Sequence, residues 1–177
     1  MKLFISKWVS QQTAVGEVMV RRAEREQGNC PCCGITLETT LLVLQCPYPT
    51  SQEVWRKGRK KIKKCMKAQD MDPRLLQAIN HIIRRFPKQD DYNTYVLLEN
   101  EELIQRCLNA QSHLGWMNFF EGLLTTDWAV IQQHFTALKS QKTGNRWAVV
   151  LSTQLWKLVF SMQDHHNQVL HKTEATN

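Results

Sequence analysis

Four of the six cysteines fall within residues 30–46. Cys30, Pro31, Cys32, Cys33 and Gly34 form a Cys-Pro-x-Cys-Gly turn. Such a turn sends two thiolates to one side, and Gly34 can take the left-handed backbone that closes it. Cys46 follows after twelve intervening residues, close enough to return a third sulfur to the same centre. Soft donors at this spacing point to zinc chemistry. Structural zinc takes four thiolate or imidazole ligands, and Cys30, Cys33 and Cys46 supply three. Cys32 is the nearest fourth, although its adjacency to Cys33 is expected to turn it away. His81 and Cys65 are further candidates. The bland alternative is a loop of reduced thiols packed as small apolar groups. The vicinal Cys32-Cys33 pair is a poor disulfide, and the spacing suits a reducing compartment, nucleus or cytoplasm.

The second chemical feature is charge. The chain carries a net charge of +7, and the excess is local: residues 1–69 hold 13 Lys and Arg against 5 Asp and Glu. Eight of those cations are Arg56, Lys57, Arg59, Lys60, Lys61, Lys63, Lys64 and Lys67. On one helix they can neutralise several phosphates of RNA or DNA without reading sequence. A solvated helix face is the plain alternative, and the run also resembles a nuclear localisation patch. Trp55 beside them reads as the helix's core anchor, with base stacking as the lesser role.

Helical periodicity must position both features. The spacing predicts helices over residues 2–12, over 14–27 after a Thr13 cap, and from Thr50 or Ser51 through Gln69. Asp72-Pro73 opens another, with Leu75, Leu76, Ile79, Ile82, Ile83 and Phe86 as its stripe. Residues 94–112 read as helix, Gly115–Leu124 as a short aromatic segment, and Thr126-Asp127 as the cap of a helix carrying Trp128, Ile131, Phe135 and Leu138. The last helix carries Trp147, Val150, Leu151, Leu155, Leu158, Val159 and Met162. His165, His166 and His171 lie at its end and read as solvated. The expected fold is all-α, an irregular bundle of about six to eight helices with a small cysteine-rich knuckle near the N-terminus. Residues 1–49 and 50–177 are its two parts, forming one compact unit.

The knuckle resembles the zinc-binding region that follows the catalytic domains of non-LTR retroelement reverse transcriptases of plant and algal type. Cys30, Cys33, Gly34, Glu38, Thr39, Cys46 and Pro47 match its Cys-x-x-Cys-Gly turn, Glu-Thr pair and closing Cys-Pro. The family histidine falls on Leu42. Lys7-Trp8-Val9-Ser10, Trp55, Gly115-Trp116 and Gly144-Asn145-Arg146-Trp147 match more loosely. Residues 165–171 resemble a closing His-Arg-Asn-x-x-Leu-His run, with His166 at the arginine. The resemblance implies a non-catalytic module that binds RNA or DNA beside other retroelement domains, with Zn2+ as its metal.

No phosphate-binding glycine loop, ribonuclease H carboxylate set or polymerase motif stands out, and Asp90-Asp91 lies in a polar stretch. Cys65 or Cys107 with His81 or His113 reads as buried thiols rather than a nucleophile and base. No enzyme activity, small-molecule substrate, signal peptide or membrane span is expected. The alternative function is a helical protein-interaction or scaffold domain, a decayed or domesticated retroelement fragment.

Overall fold

The computed structural model describes residues 2–10, 12–35, 37–88, 102–137 and 143–175. The fold is all-α. Nine α-helices occur among the described residues: α1 Lys2–Val9, α2 Gly16–Arg21, α3 Thr40–Gln45, α4 Pro49–Ala68, α5 Pro73–Arg85, α6 Glu102–Leu114, α7 Trp116–Phe120, α8 Thr126–Ala137 and α9 Gly144–Glu174. A 3-10 turn, Phe86–Lys88, follows α5. The number exceeds the expected six to eight because α2, α3 and α7 are single short turns of six, six and five residues. The β contact found among the described residues is one antiparallel bridge, Asn29 to Leu37, within the knuckle.

The chain forms two compact units. The first joins Met1–Gly58 with Leu158–Asn177, and the second is Arg59–Lys157. The residues after Leu158 therefore belong with the knuckle. A boundary drawn along the sequence near residue 49 misses this, because a discontinuous unit leaves no linear signal.

In the first unit, Trp8, Val15, Val18, Val43, Leu44, Trp55, Leu158 and Met162 are buried. Phe4 stacks near Trp8 and meets Phe160 edge-on, with ring centroids 5.6 and 5.0 Å apart. α4 and α9 approach closely at Gly58, where an added Cβ would lie 2.4 Å from Leu158 Cδ1. That contact accounts for a glycine that costs an exposed helix about 1 kcal/mol relative to alanine.

The helix expected over residues 14–27 stops at Arg21. Arg21–Glu24 are exposed and offer no apolar stripe to bury, and Ala23 turns the chain with φ 56°. Thr13 is not the cap of α2: Val15 occupies that position and supplies no side-chain acceptor. A distant residue does so instead. Glu38 Oε2 accepts from Gly16 N at 2.9 Å, and Glu38 O accepts from Glu17 N at 3.0 Å. Gly28, expected to end that helix, faces Gly16, where an added Cβ would lie 1.9 Å from Gly28 O. α4 begins at Pro49, ahead of the expected caps, and Thr50 uses its hydroxyl on His165 Nε2 at 3.0 Å.

In the second unit the α5 stripe is as expected. Asp72 caps the helix by accepting from Arg74 N, Pro73 follows, and Leu75, Ile79, Ile82, Ile83 and Phe86 are buried. Phe86 meets Phe120 and Phe119 meets Trp128, with centroids 4.2 and 5.7 Å apart. Buried glutamines satisfy the irregular segments. Gln111 Oε1 accepts from Thr125 N and Trp128 Nε1 while its amide donates to Leu123 O. Gln132 accepts from Asp72 N and donates to Asp70 O. The helix expected from residue 94 is observed from Glu102, and its first part, with the Asp90-Asp91 stretch, lies outside the described residues. Leu138 does too.

Candidate metal centre and cationic faces

The cysteine turn is built as its residue types dictate. Gly34 has φ 68° and its N–H donates to Cys30 O at 2.8 Å, a positive φ that L side chains adopt with strain. The Asn29–Leu37 bridge and the bond from Glu38 N to Gly28 O close the base of the loop. Thr39 then caps α3 through its hydroxyl, which accepts from Leu42 N at 3.1 Å. α3 ends at Gln45, and its C-cap Cys46, with an extended ψ of 122°, leads into Pro47.

Cys30, Cys32 and Cys46 are buried in one cluster, with Cys33, Leu42 and Val169 packed against it. Cys30 Sγ and Cys46 Sγ are 3.8 Å apart. The sulfurs of Cys30, Cys33 and Cys46 lie within 4.8 Å of one another, so the three thiols nominated from the sequence converge. Cys32, expected to point away, turns in: with Cys30 and His166 it forms a second group within the same limit. Residues 31–33 follow a turn rather than a strand. Successive side chains in a helical turn diverge by about 100°, against about 180° in a strand, so neighbouring thiols can share one centre.

His166 is the residue that sequence reasoning missed. It was read as solvated at a helix end, but α9 runs on to Glu174 and the imidazole is 1% exposed. Its Nδ1 is 2.8 Å from Glu38 Oε1 and 3.7 Å from Cys30 Sγ. Its Nε2 is buried with no hydrogen-bond partner among the described residues. Burial opposes charge on the ring, but the neighbouring Cys32 and Cys46 thiols and the Glu38 carboxylate outweigh it and raise His166 to about 11. Hydrogen bonds from Cys30 and Cys32 hold Cys46 well below the usual thiol range, while bonding to Cys32 and Cys46, with burial, pushes Cys30 up. These shifts favour an imidazolium beside a thiolate in the metal-free cluster. The available signal was indirect: Cys30, Cys33 and Cys46 leave a tetrahedral site one donor short, so a fourth had to come from elsewhere in the chain.

The donor set fits a metal. All the cysteines are free, and the cluster gathers soft thiols around a buried imidazole with an unpartnered nitrogen. Tetrahedral zinc with Zn–S of about 2.3 Å separates its sulfurs by roughly 3.8 Å, and Cys30 Sγ and Cys46 Sγ are 3.8 Å apart. The other two candidates stand elsewhere: Cys65 and His81 belong to the second unit and to neither metal-competent group. Of the remaining histidines, His165 bonds Thr50 and His171 is exposed.

Of the α4 cations, Arg56, Lys57, Lys60, Lys61, Lys63, Lys64 and Lys67 are exposed and Arg59 is half-buried, opposite buried Trp55, Ile62 and Met66. Trp55 is thus a core anchor. Arg56 donates twice to Glu53 at 2.6 Å, and Lys57 is 3.6 Å from it. No ion pair links Lys60, Lys61, Lys63, Lys64 or Lys67 to another described residue. A second cationic feature was not anticipated: His81, Arg84, Arg85 and Lys88 line a polar pocket at the end of α5. Burial and the charges of Arg85 and Arg84 lower His81, so the pocket's fixed charge is supplied by the other three. Cys107 is fully buried, and burial with the Asp127 charge pushes its thiol up to about 12. No helix among the described residues is long and apolar enough to cross a membrane.

Compared with known proteins, the chain matches no family model, no curated protein and no solved structure.

Proposed function

We propose that the protein is a non-catalytic nucleic-acid-binding module, akin to the zinc-binding C-terminal region of a retroelement reverse transcriptase. Zinc held by Cys30, Cys33 and Cys46 would keep the knuckle folded, and Lys60, Lys61, Lys63, Lys64 and Lys67 would contact phosphates. The observation that carries the reading is the exposed lysine face of α4, whose five lysines have no acidic partner among the described residues. Unpaired cations on a rigid helix exchange condensed counterions for a polyanion, and the gain is entropic and independent of base sequence. Arg84 and Arg85 of α5 and Lys88 after it line a second cationic pocket. The cysteine cluster supports the reading through its donor chemistry, and zinc is the metal that a thiolate-rich set favours in a reducing compartment.

The test is binding of a short RNA and a DNA duplex by fluorescence anisotropy at several salt concentrations. Five or six phosphate contacts should weaken binding by about 10^3-fold between 50 and 200 mM salt. Reversing Lys60, Lys61, Lys63 and Lys64 to Glu should abolish binding with the helical content intact. Reversing Arg84 and Arg85 should weaken it and flatten the salt slope. Salt-independent binding, or none, would count against the reading and favour the protein-interaction alternative.

A further inference from the structure

Resting on the reading of the knuckle as a metal site, we infer that His166 supplies its fourth ligand and that Glu38 is the residue that positions it. The metal then fastens the last helix to the knuckle. The position where the family carries histidine is Leu42, and here its side chain packs apolar surface against the thiols. It offers no donor. Three thiolates alone leave tetrahedral zinc one ligand short.

The imidazole of His166 fills that need from α9, far along the chain. It is 1% exposed, lies 3.7 Å from Cys30 Sγ and shares a 4.8 Å group with Cys30 and Cys32. A neutral imidazole has one N–H and one lone pair. With the proton on Nδ1, shared with Glu38 at 2.8 Å, the lone pair is on Nε2, which is buried and has no other partner. Metal binding would displace the proton from Nε2 and take up that lone pair, while Nδ1–H stays on Glu38.

Glu38 sets the ring's rotation. It is 3% exposed, and its second oxygen is fixed by the Gly16 N–H at 2.9 Å. A carboxylate on a ligating histidine is the usual outer-shell partner of a metal site. The two groups share Cys30: Cys33 and Cys46 stand with it in one, Cys32 and His166 in the other. The set assigned joins His166 to Cys30, Cys33 and Cys46, and leaves Cys32, adjacent to Cys33, as the thiol beside it.

Cobalt(II) and zinc titrations of the full chain test the assignment. The wild type should bind one metal with the visible absorption of a tetrahedral site of three sulfurs and one nitrogen. His166→Ala should lose at least about 100-fold in affinity, and Glu38→Gln about 10-fold. His166→Cys should keep one metal while its spectrum moves to that of four sulfurs. Cys32→Ser should change neither affinity nor spectrum. Nitrogen-15 shifts of the histidine rings in the wild type give a readout independent of whether any variant folds. On zinc addition the His166 ring nitrogens should move and those of His81 and His113 should not. A His166 ring unmoved by zinc, or a Cys32→Ser protein that loses metal while His166→Ala keeps it, would overturn the assignment and leave a four-thiol metal site standing. A wild type that binds no metal would overturn the metal reading itself.

Discussion

Glu38 and His166, 128 residues apart in the chain, form a buried pair in which Oε1 meets Nδ1 at 2.8 Å. The side chains are 3% and 1% exposed. The same carboxylate caps α2 through Gly16 N, so one residue satisfies the knuckle, the second helix and the last helix. Removing it strands two buried donors at once. Glu38→Ala should destabilise the fold by about 3 kcal/mol, the range for breaking a buried charged pair. Glu38→Gln keeps an acceptor oxygen for one donor and should cost about half as much. Urea unfolding of both variants checks this, and equal, negligible losses would show that the pair carries no stability.

The metal-free protein should have a flat stability plateau bounded on both sides. His166 is raised from 6.5 to about 11, so its contribution is complete below pH 6.5 and is lost as pH rises towards 11. Cys46 is depressed from 9.0, so its contribution is complete above pH 9 and is lost as pH falls. Between pH 6.5 and 9 the two slopes cancel, because folded and unfolded chains bind the same number of protons at this pair. Below pH 6.5 stability should fall by up to about 1.4 kcal/mol per pH unit. Above pH 9 it should fall at least as steeply, since Cys30 is held protonated in the fold. Urea midpoints in chelator from pH 5 to 10 test the shape, and a peak at neutral pH in place of a plateau would refute the imidazolium–thiolate pairing.

Gly16 has no room for a side chain. A Cβ there would overlap the carbonyl of Gly28, at 1.9 Å from its oxygen. Relief requires the two segments to part, which also breaks the bond from Gly16 N to Glu38 and releases the His166 ring. Gly16→Ala should therefore cost about 2–4 kcal/mol, in the range of other overpacking and lost-network changes, and should weaken metal binding without touching a ligand. Thermal melts with and without zinc would show both effects, and an unaltered melt would show that the segments part freely.

The helices and the three nominated thiols were legible in the sequence because each rests on local spacing. The 3.6-residue stripe of α5, its Asp72-Pro73 start and the Cys30–Gly34 turn need no knowledge of distant residues. What stayed hidden was long-range. His166 follows the pattern of α9 at a position where burial depends on α3 and the knuckle. Glu38 reads as part of a Glu-Thr pair, yet its carboxylate caps a helix that starts 22 residues earlier. The end of α2 at Arg21 was also hidden: helix propensity favours continuing through Arg22–Glu26, but an all-polar segment has no face to bury and the chain turns. Gly58, a residue that weakens an isolated helix, is a packing requirement set by Leu158.

Leu42 lies in α3, and Cys46, four residues on, is its C-cap. Side chains at i and i+4 share a helix face, so an imidazole at position 42 would stand beside the Cys46 sulfur, where Leu42 now packs against the cluster. One substitution can thus place a histidine donor on the knuckle itself. In a His166→Ala background, Leu42→His should recover at least about 10-fold of the lost zinc affinity, since it restores a fourth donor. In the wild-type background the same change should add little, because His166 already fills the position, and should cost stability by placing a polar ring among apolar neighbours. The pair of titrations separates a ligand role for His166 from a purely structural one. If the imidazole at position 42 rescues metal binding only when His166 is absent, the two histidines are alternatives for one coordination site. Equal gains in both backgrounds would mean that His166 never held it.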